Sequence, residues 1–415
     1  MKKLIGLALM GVWVLSACDN DADAGGGSFE QTEFQPIELS VTEQTMAQGQ
    51  TDFAYSLFAL LNRGREGEDL LVSPFSLQCA LGMLSNGAMG ETRDEIVRAM
   101  GLDGYSQEEV NGYFQKLIRG MNGVSPFVSV QTSNSVWVNR QMVLNEAFRQ
   151  TGEEKYGALV SSLDFGDPSS VDQVNAWCNE TTHGKIPRIL GSLSPSIYVY
   201  LLNSVYFKAR WDTEFPVDQT RQGDFHAGAG GVLQASFMHQ TVEHGYLARG
   251  ESFTSAVLPY VGGHYEMRFI LPDEGATVDE VADALASPGV LQAAIDNGEE
   301  CRINYAVPRF EMENDITLNG ALQALGMKLA FTDEGDLSAL TTPYAPVSTI
   351  FQVATLKVDE EGSEGAAVTA VTDGAPLPDE ARKEIDFTLD RPFLFLLTET
   401  GTGTVLFMGK MEKPK

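Results

Sequence analysis

Val358-Asp359-Glu360-Glu361-Gly362-Ser363-Glu364-Gly365-Ala366-Ala367-Val368-Thr369-Ala370-Val371 is the stretch on which the reading of this chain turns. An apolar, strand-like run, Ile350 to Val358, leads into it. From Gly362 to Val371 no side chain is larger than valine except Glu364. Thr372 to Glu380 then forms a loop rich in Pro, Gly and Asp. Small residues in succession tolerate both exposure and burial, so such a segment can leave a loop and slide between two strands without clashing. Parity sharpens the point. Ser363, Gly365, Ala367, Thr369 and Val371 would share one face of a strand, and Glu364 falls on the other. Taken by itself, the segment also reads as a low-complexity surface loop.

The surroundings alternate between helical and strand periodicity from about Thr51 to Lys415, with no repeat and no composition break. Phe53, Leu57, Phe58 and Leu61 mark one face of a helix over Asp52–Leu61. Ser73-Pro74 predicts a helix start, with Leu77, Ala80, Leu81 and Leu84 as its buried stripe and Gly87 as its end. Thr92 and Glu95 read as a capping box for a helix that stops at Gly101. Val171, Val174, Asn175 and Cys178 mark another helix. Ile197–Phe207 is almost continuously apolar, the pattern of a central strand covered on both faces. Asn203 lies inside it, and a buried amide there needs partners. Pro392–Leu397 and Val405–Met408 flank a Gly/Thr loop as a β-hairpin. The mixed order predicts an α+β domain over residues 49–415.

The amino terminus reads as an address. Lys2 and Lys3 precede an uncharged run, Leu4 to Leu15. A membrane-spanning helix needs roughly 20 residues, so the run fits a secretory signal better than an anchor. Leu15-Ser16-Ala17-Cys18 has the pattern of a bacterial lipobox, in which the Cys18 thiol accepts the lipid. A plain secretory signal with an incidental Cys18 is the alternative. Residues 1–17 are thus expected to be a lipoprotein signal peptide and 18–48 an acidic, Gly-rich tether. The chain would be exported and held to the cell envelope by acyl chains, on its periplasmic or extracellular face.

The 28 Lys+Arg against 57 Asp+Glu give a net charge of −29, which argues against a general nucleic-acid binder. Cys79, Cys178 and Cys301 lack CxxC spacing and read as isolated buried thiols. No GxSxG, HExxH or Walker pattern occurs, and the five histidines show no metal-ligand spacing. Gly228-Ala229-Gly230-Gly231 reads as a surface turn. No catalytic residue, metal or cofactor is expected, so the chain is not read as an enzyme.

Ser73-Pro74-Phe75-Ser76, Asn86-Gly87-Ala88-Met89-Gly90-Glu91-Thr92 and Asn175-Ala176-Trp177 with Thr182-His183-Gly184-Lys185-Ile186 follow one another along the chain. Asn203 through Trp211, Leu258-Pro259-Tyr260, Glu360 through Ala367, Asp390-Arg391-Pro392-Phe393 and Leu406-Phe407-Met408-Gly409-Lys410 come after them. In these motifs, and in their order, the chain resembles the serpin family. The resemblance implies one domain of three β-sheets and eight or nine helices with an exposed reactive-centre loop, about 360–386. It implies irreversible, suicide inhibition of proteases, most simply of the serine type. A target protease would cut the loop as substrate, form a covalent acyl complex, and be carried off as the loop enters the central sheet. A non-inhibitory serpin, acting as a binding or carrier protein, is the alternative. A monomer is expected, with the protease and the membrane as its partners.

The resemblance also assigns residues. Glu360, Glu361, Gly362, Ser363, Glu364, Gly365, Ala366, Ala367, Val368 and Thr369 match the loop's hinge. Ser363 and Gly365 replace the family's usual Thr and Ala, and both remain small. Ser73, Ser76 and Asn203 match positions under the sheet that gate its opening, and Trp211 the tryptophan where insertion begins. Gln352 stands where the family usually has histidine; glutamine hydrogen-bonds but does not titrate near neutral pH. Ordinary core packing is the competing reading of these gate residues. Counting on from Glu360 as in family members reaches Pro376, a poor residue beside a scissile bond. The candidates therefore span Thr372, Asp373, Gly374, Ala375, Pro376 and Leu377, with Arg382 and Lys383 as distant outsiders.

Overall fold

Val199–Arg210 is a strand whose two faces meet different layers, which explains why Val199–Leu202 and Val205–Phe207 are apolar at successive positions. Val199, Leu201, Val205, Phe207 and Ala209 face the main hydrophobic core. Tyr200 and Leu202 alternate with them and face a second cluster with Trp137, Phe165 and Val174. The helix Pro74–Ser85, buried at all twelve positions, runs beneath the first face. The helix Ser170–Thr181 covers the second, where Thr181 Oγ1 meets Ser204 Oγ at 3.0 Å.

The computed structural model describes residues 36–121, 127–228, 230–363 and 383–414. Cys18 and the hinge positions Glu364, Gly365, Ala366, Ala367, Val368 and Thr369 lie outside these residues. So do the scissile candidates Thr372 to Leu377. Phe34–Lys415 forms one compact unit.

The strands make three sheets. The six-stranded one runs Phe310–Thr317, Thr349–Val358, Gly362–Ser363, Val199–Arg210, Val128–Asn139, Leu159–Leu163. A nine-stranded sheet contains the hairpin Phe393–Glu399 and Thr404–Met411, with Glu384–Thr388 at its edge. Thr341–Thr342 and Val143–Leu144 form the third. Nine α-helices accompany them among the described residues. Cys79, Cys178 and Cys301 are free and buried.

Two local expectations are corrected. The first helix begins at Val41, so residues 41–48 belong to the folded body and not to the tether. Ser40 and Glu43 form a capping box there (Ser40 N donates to Glu43 Oε2 at 2.7 Å), and Met46 and Ala47 are buried. Thr92 and Glu95 do not cap their own helix, which starts at Gly90. Each caps a distant loop instead. Thr92 Oγ1 accepts from Asp336 N at 2.8 Å, and Glu95 Oε2 accepts from Lys328 N and Leu329 N at 2.8 and 2.7 Å.

Candidate functional site

Thr349–Val358 and Val199–Arg210 are the two central strands that the expected loop insertion concerns. They pair in parallel from Thr349↔Tyr200 to Ala354↔Val205, and their direct pairing stops there. Four residues further on, Ser363 lies between them, opposite Val358 on one side and Ala209 on the other. The sheet is therefore a fork, closed at one end and wedged one strand-width open, about 4.8 Å, at the other. Phe207, Leu356 and Lys357 line the narrow crevice within it.

A row of amides crosses the closed end. Gln352 and Asn203 are register partners, and Asn203 is in turn the partner of Asn134. Gln352 Nε2 donates to Asn203 Oδ1 at 2.6 Å, and Asn203 Nδ2 donates to Asn134 Oδ1 at 2.6 Å. The row stands on the start of the helix Pro74–Ser85. Ser73 N donates to Gln352 Oε1 at 2.8 Å, and Gln352 Nε2 donates to Ser73 O at 2.9 Å. Asn203 Nδ2 also reaches Ser76 O at 3.1 Å, and the Ser76 hydroxyl. Ser73, Ser76 and Asn203 are fully buried and Gln352 almost so. Such groups are costly to leave unpaired, so the row holds the strands together. With an amide at position 352, the lock has no titratable member among these residues.

The open end is an aromatic socket. Trp211 stacks on Tyr260, with ring centroids 4.4 Å apart and planes 12° from parallel, and meets Phe215 edge-on. Its Nε1 donates to Asp359 O at 2.9 Å, and its N to Glu361 O at 3.0 Å. Tyr260 OH and Ser363 Oγ are 2.7 Å apart, and Ser363 is fully buried. Burial keeps the Tyr260 phenol neutral at any ordinary pH. The chain reverses over Asp359–Gly362, where Asp359 N donates to Gly362 O at 2.9 Å. Gly362 has φ +154°, and a Cβ there would lie 2.0 Å from Ala209 O. Only glycine brings the hinge this close to the strand.

Glu360 fastens the turn. Its carboxylate accepts from Arg309 Nε at 2.8 Å on each oxygen, from Arg309 Nη2 and from the Thr220 hydroxyl. Burial pushes its pKa up, but the Arg309 and Thr220 hydrogen bonds outweigh this and hold it below the usual glutamate range. Its contribution is present above that range and is lost as the pH falls through the lowered value. The rate at which a non-specific protease cuts residues 364–382 should therefore rise severalfold in Arg309→Met at pH 7. The wild-type chain should show the same rise only at a pH below the ordinary glutamate range. Equal rates in both proteins at pH 7 would remove this clasp from the account.

The structure thus gathers Ser73, Ser76, Asn203 and Gln352 at one end of the fork, and Trp211 with Glu360, Glu361, Gly362 and Ser363 at the other. Sequence reasoning assigned no role to Asn134, Thr220, Tyr260 or Arg309. Asn134 had a signal: the polar run Gln131-Thr132-Ser133-Asn134-Ser135 separates Val130 from Val136-Trp137-Val138 within one strand.

Residues 48–414 match the model of the family described as Serpin (serine protease inhibitor). The chain belongs to the serpin family. An uncharacterized serpin-like protein of Thermococcus kodakarensis is 32% identical over 378 residues, covering 90% of this chain and 87% of that protein. Serpin A3-3 of Bos taurus is 30% identical over 380 residues, covering 90% of each. Among solved structures, the thermophilic serpin tengpin in its native state superposes with a TM-score of 0.81 at 27% identity, covering 93% of this chain and 98% of that one. Human thyroxine-binding globulin complexed with thyroxine superposes at a TM-score of 0.80 and 26% identity, covering 90% of this chain and 100% of that one.

Proposed function

We propose that this serpin is an irreversible suicide inhibitor of proteases, and not an enzyme. A target protease attacks a carbonyl carbon within Thr372–Leu377. The peptide C–N bond breaks, an ester or thioester to the protease forms, and the downstream segment leaves as an amine. The hinge, no longer tethered at its far end, continues from Ser363 into the fork as a new strand. About ten residues would match the length of Thr349–Val358, roughly 33 Å of strand. The acyl-protease at its end is carried that distance before water can release it. The observation that carries this reading is the wedge itself: Gly362 and Ser363 already occupy the mouth of the slot, in the antiparallel sense that insertion needs.

Lipidation belongs to the same proposal. Acyl chains on Cys18 would hold the inhibitor at a bacterial envelope, as a monomer on a tether that ends before the buried Ile37. No described helix is long and apolar enough to cross a membrane. The second reading, a carrier, is favoured by the likeness to thyroxine-binding globulin. Incubation of the purified chain with a panel of serine and cysteine proteases separates the two. A covalent adduct that survives SDS supports inhibition; clean loop cleavage by every protease, with no adduct, contradicts it.

A further inference from the structure

The two open arms of the fork each carry one lysine at the same depth. Lys208 stands on Val199–Arg210 and Lys357 on Thr349–Val358, just inside the mouth held by Ser363. Their neighbours Phe207, Ala209, Leu356 and Val358 are buried in the main core. Alternation therefore turns both lysines to the opposite face of the sheet, where Lys208 is half-buried and Lys357 exposed. On its far side Lys357 is the register partner of Glu311, and its Nζ meets Asp359 Oδ2 at 2.8 Å. Lys208 faces the neutral Ser129 on its far side. Arg210, two steps nearer the mouth on the same face, is 3.8 Å from Glu214.

The observed register says what would come between the lysines. Gly362 lies opposite Arg210, and Ser363 opposite both Ala209 and Val358. The pairing is antiparallel to both strands, so each step forward along the chain is one step back along each of them. In that register the next residue faces Lys208 and Lys357 at once, about 4.8 Å from each strand. That residue is Glu364, the one charged residue from Gly362 to Val371. Ser363 points into the core, so its successor belongs on the face of the two lysines. The row across the sheet would then read Glu311, Lys357, Glu364, Lys208, alternating in sign. Opposite charges facing each other across strands favour pairing, and like charges oppose it. A slip of one residue would turn Glu364 toward the core, so the two lysines favour one register over its neighbours.

We propose that Lys208 and Lys357 are positioning residues for insertion, a socket that receives the Glu364 carboxylate and sets the register in which the cut loop enters the sheet. This pairing rests on the insertion of the loop after cleavage. The ratio of SDS-stable adduct to cleaved product, read from gels with one target protease, tests it. Lys208→Glu and Glu364→Lys should each lower the ratio about fivefold, because like charges then face each other. The double variant Lys208→Glu with Glu364→Lys should stand at least threefold above either single variant. In 1 M NaCl the deficits of the single variants should shrink to less than twofold. Unchanged ratios in the single variants overturn the proposal, as does a double variant no better than the singles. Should Lys208→Glu fail to fold, the salt dependence of Glu364→Lys decides, since a steric fault would persist in salt. A wild type that forms no adduct with any protease removes the insertion reading itself, and this pairing with it.

Discussion

In the Ser363→Arg variant, the SDS-stable protease adduct is expected to fall below a tenth of the wild-type yield while loop cleavage continues. Ser363 sits fully buried between Val358 and Ala209, with its hydroxyl on Tyr260. An arginine there would bring a charge into the main core, where an unpaired ion costs several kcal/mol. Its long side chain would instead be forced out past Tyr260, whose hydroxyl the Ser363 hydroxyl meets in the wild type. Insertion then starts against that penalty, hydrolysis of the acyl-enzyme outruns it, and the inhibitor becomes a substrate. Gel analysis of adduct against cleaved product at equal protease gives the ratio directly. An unchanged adduct yield would show that Ser363 does not lead the insertion.

The second large effect concerns the closed end of the fork. Asn203→Ala removes the donor to Asn134 Oδ1 and to both Ser76 acceptors, and the acceptor of Gln352 Nε2. Orphaned buried groups cost about 1–3 kcal/mol each, partly relieved where Gln352 keeps Ser73, so a loss of about 2–4 kcal/mol is expected. That corresponds to a drop of roughly 3–5 °C in the thermal midpoint of a domain this large. The penalty should shrink after the loop is cut and inserted. A strand lying between Gln352 and Asn203 breaks their bond in the wild type as well, so there is less left to lose. Scanning calorimetry of intact and cleaved forms, wild type and variant, measures both drops. Equal drops in the two forms would contradict a gate that insertion opens.

Much of this was legible in the residues. The almost continuous apolarity of Ile197–Phe207 marked a strand covered twice, and the strand Val199–Arg210 is covered by a helix on each face. Asn203, polar in an apolar run, announced a network. The partners were not legible, because they come from strands and a helix far away in sequence. Asn134 and Ser76 meet Asn203 only through register and through the helix beneath the sheet. Arg309 is an ordinary basic residue in the chain and becomes the clasp of Glu360 only when the Asp359–Gly362 turn folds over it. The start of the first helix was missed for a different reason. Residues 41–48 are mostly polar, and what fixes them is a capping box, the ion pair of Glu43 with Lys116 and the burial of Met46 and Ala47. Thr92 and Glu95 show the reverse error, a correct capping chemistry whose recipients lie on another loop.

The central claim is that the segment beginning at Ser363 becomes a strand of the six-stranded sheet once the loop is cut. The most direct measurement is the thermal midpoint of the purified chain before and after a single cleavage within Thr372–Leu377. Insertion extends pairing along the whole facing edges of Thr349–Val358 and Val199–Arg210, so the account predicts a higher midpoint for the cut chain. A midpoint that stays or falls, as for a nicked surface loop, would contradict it.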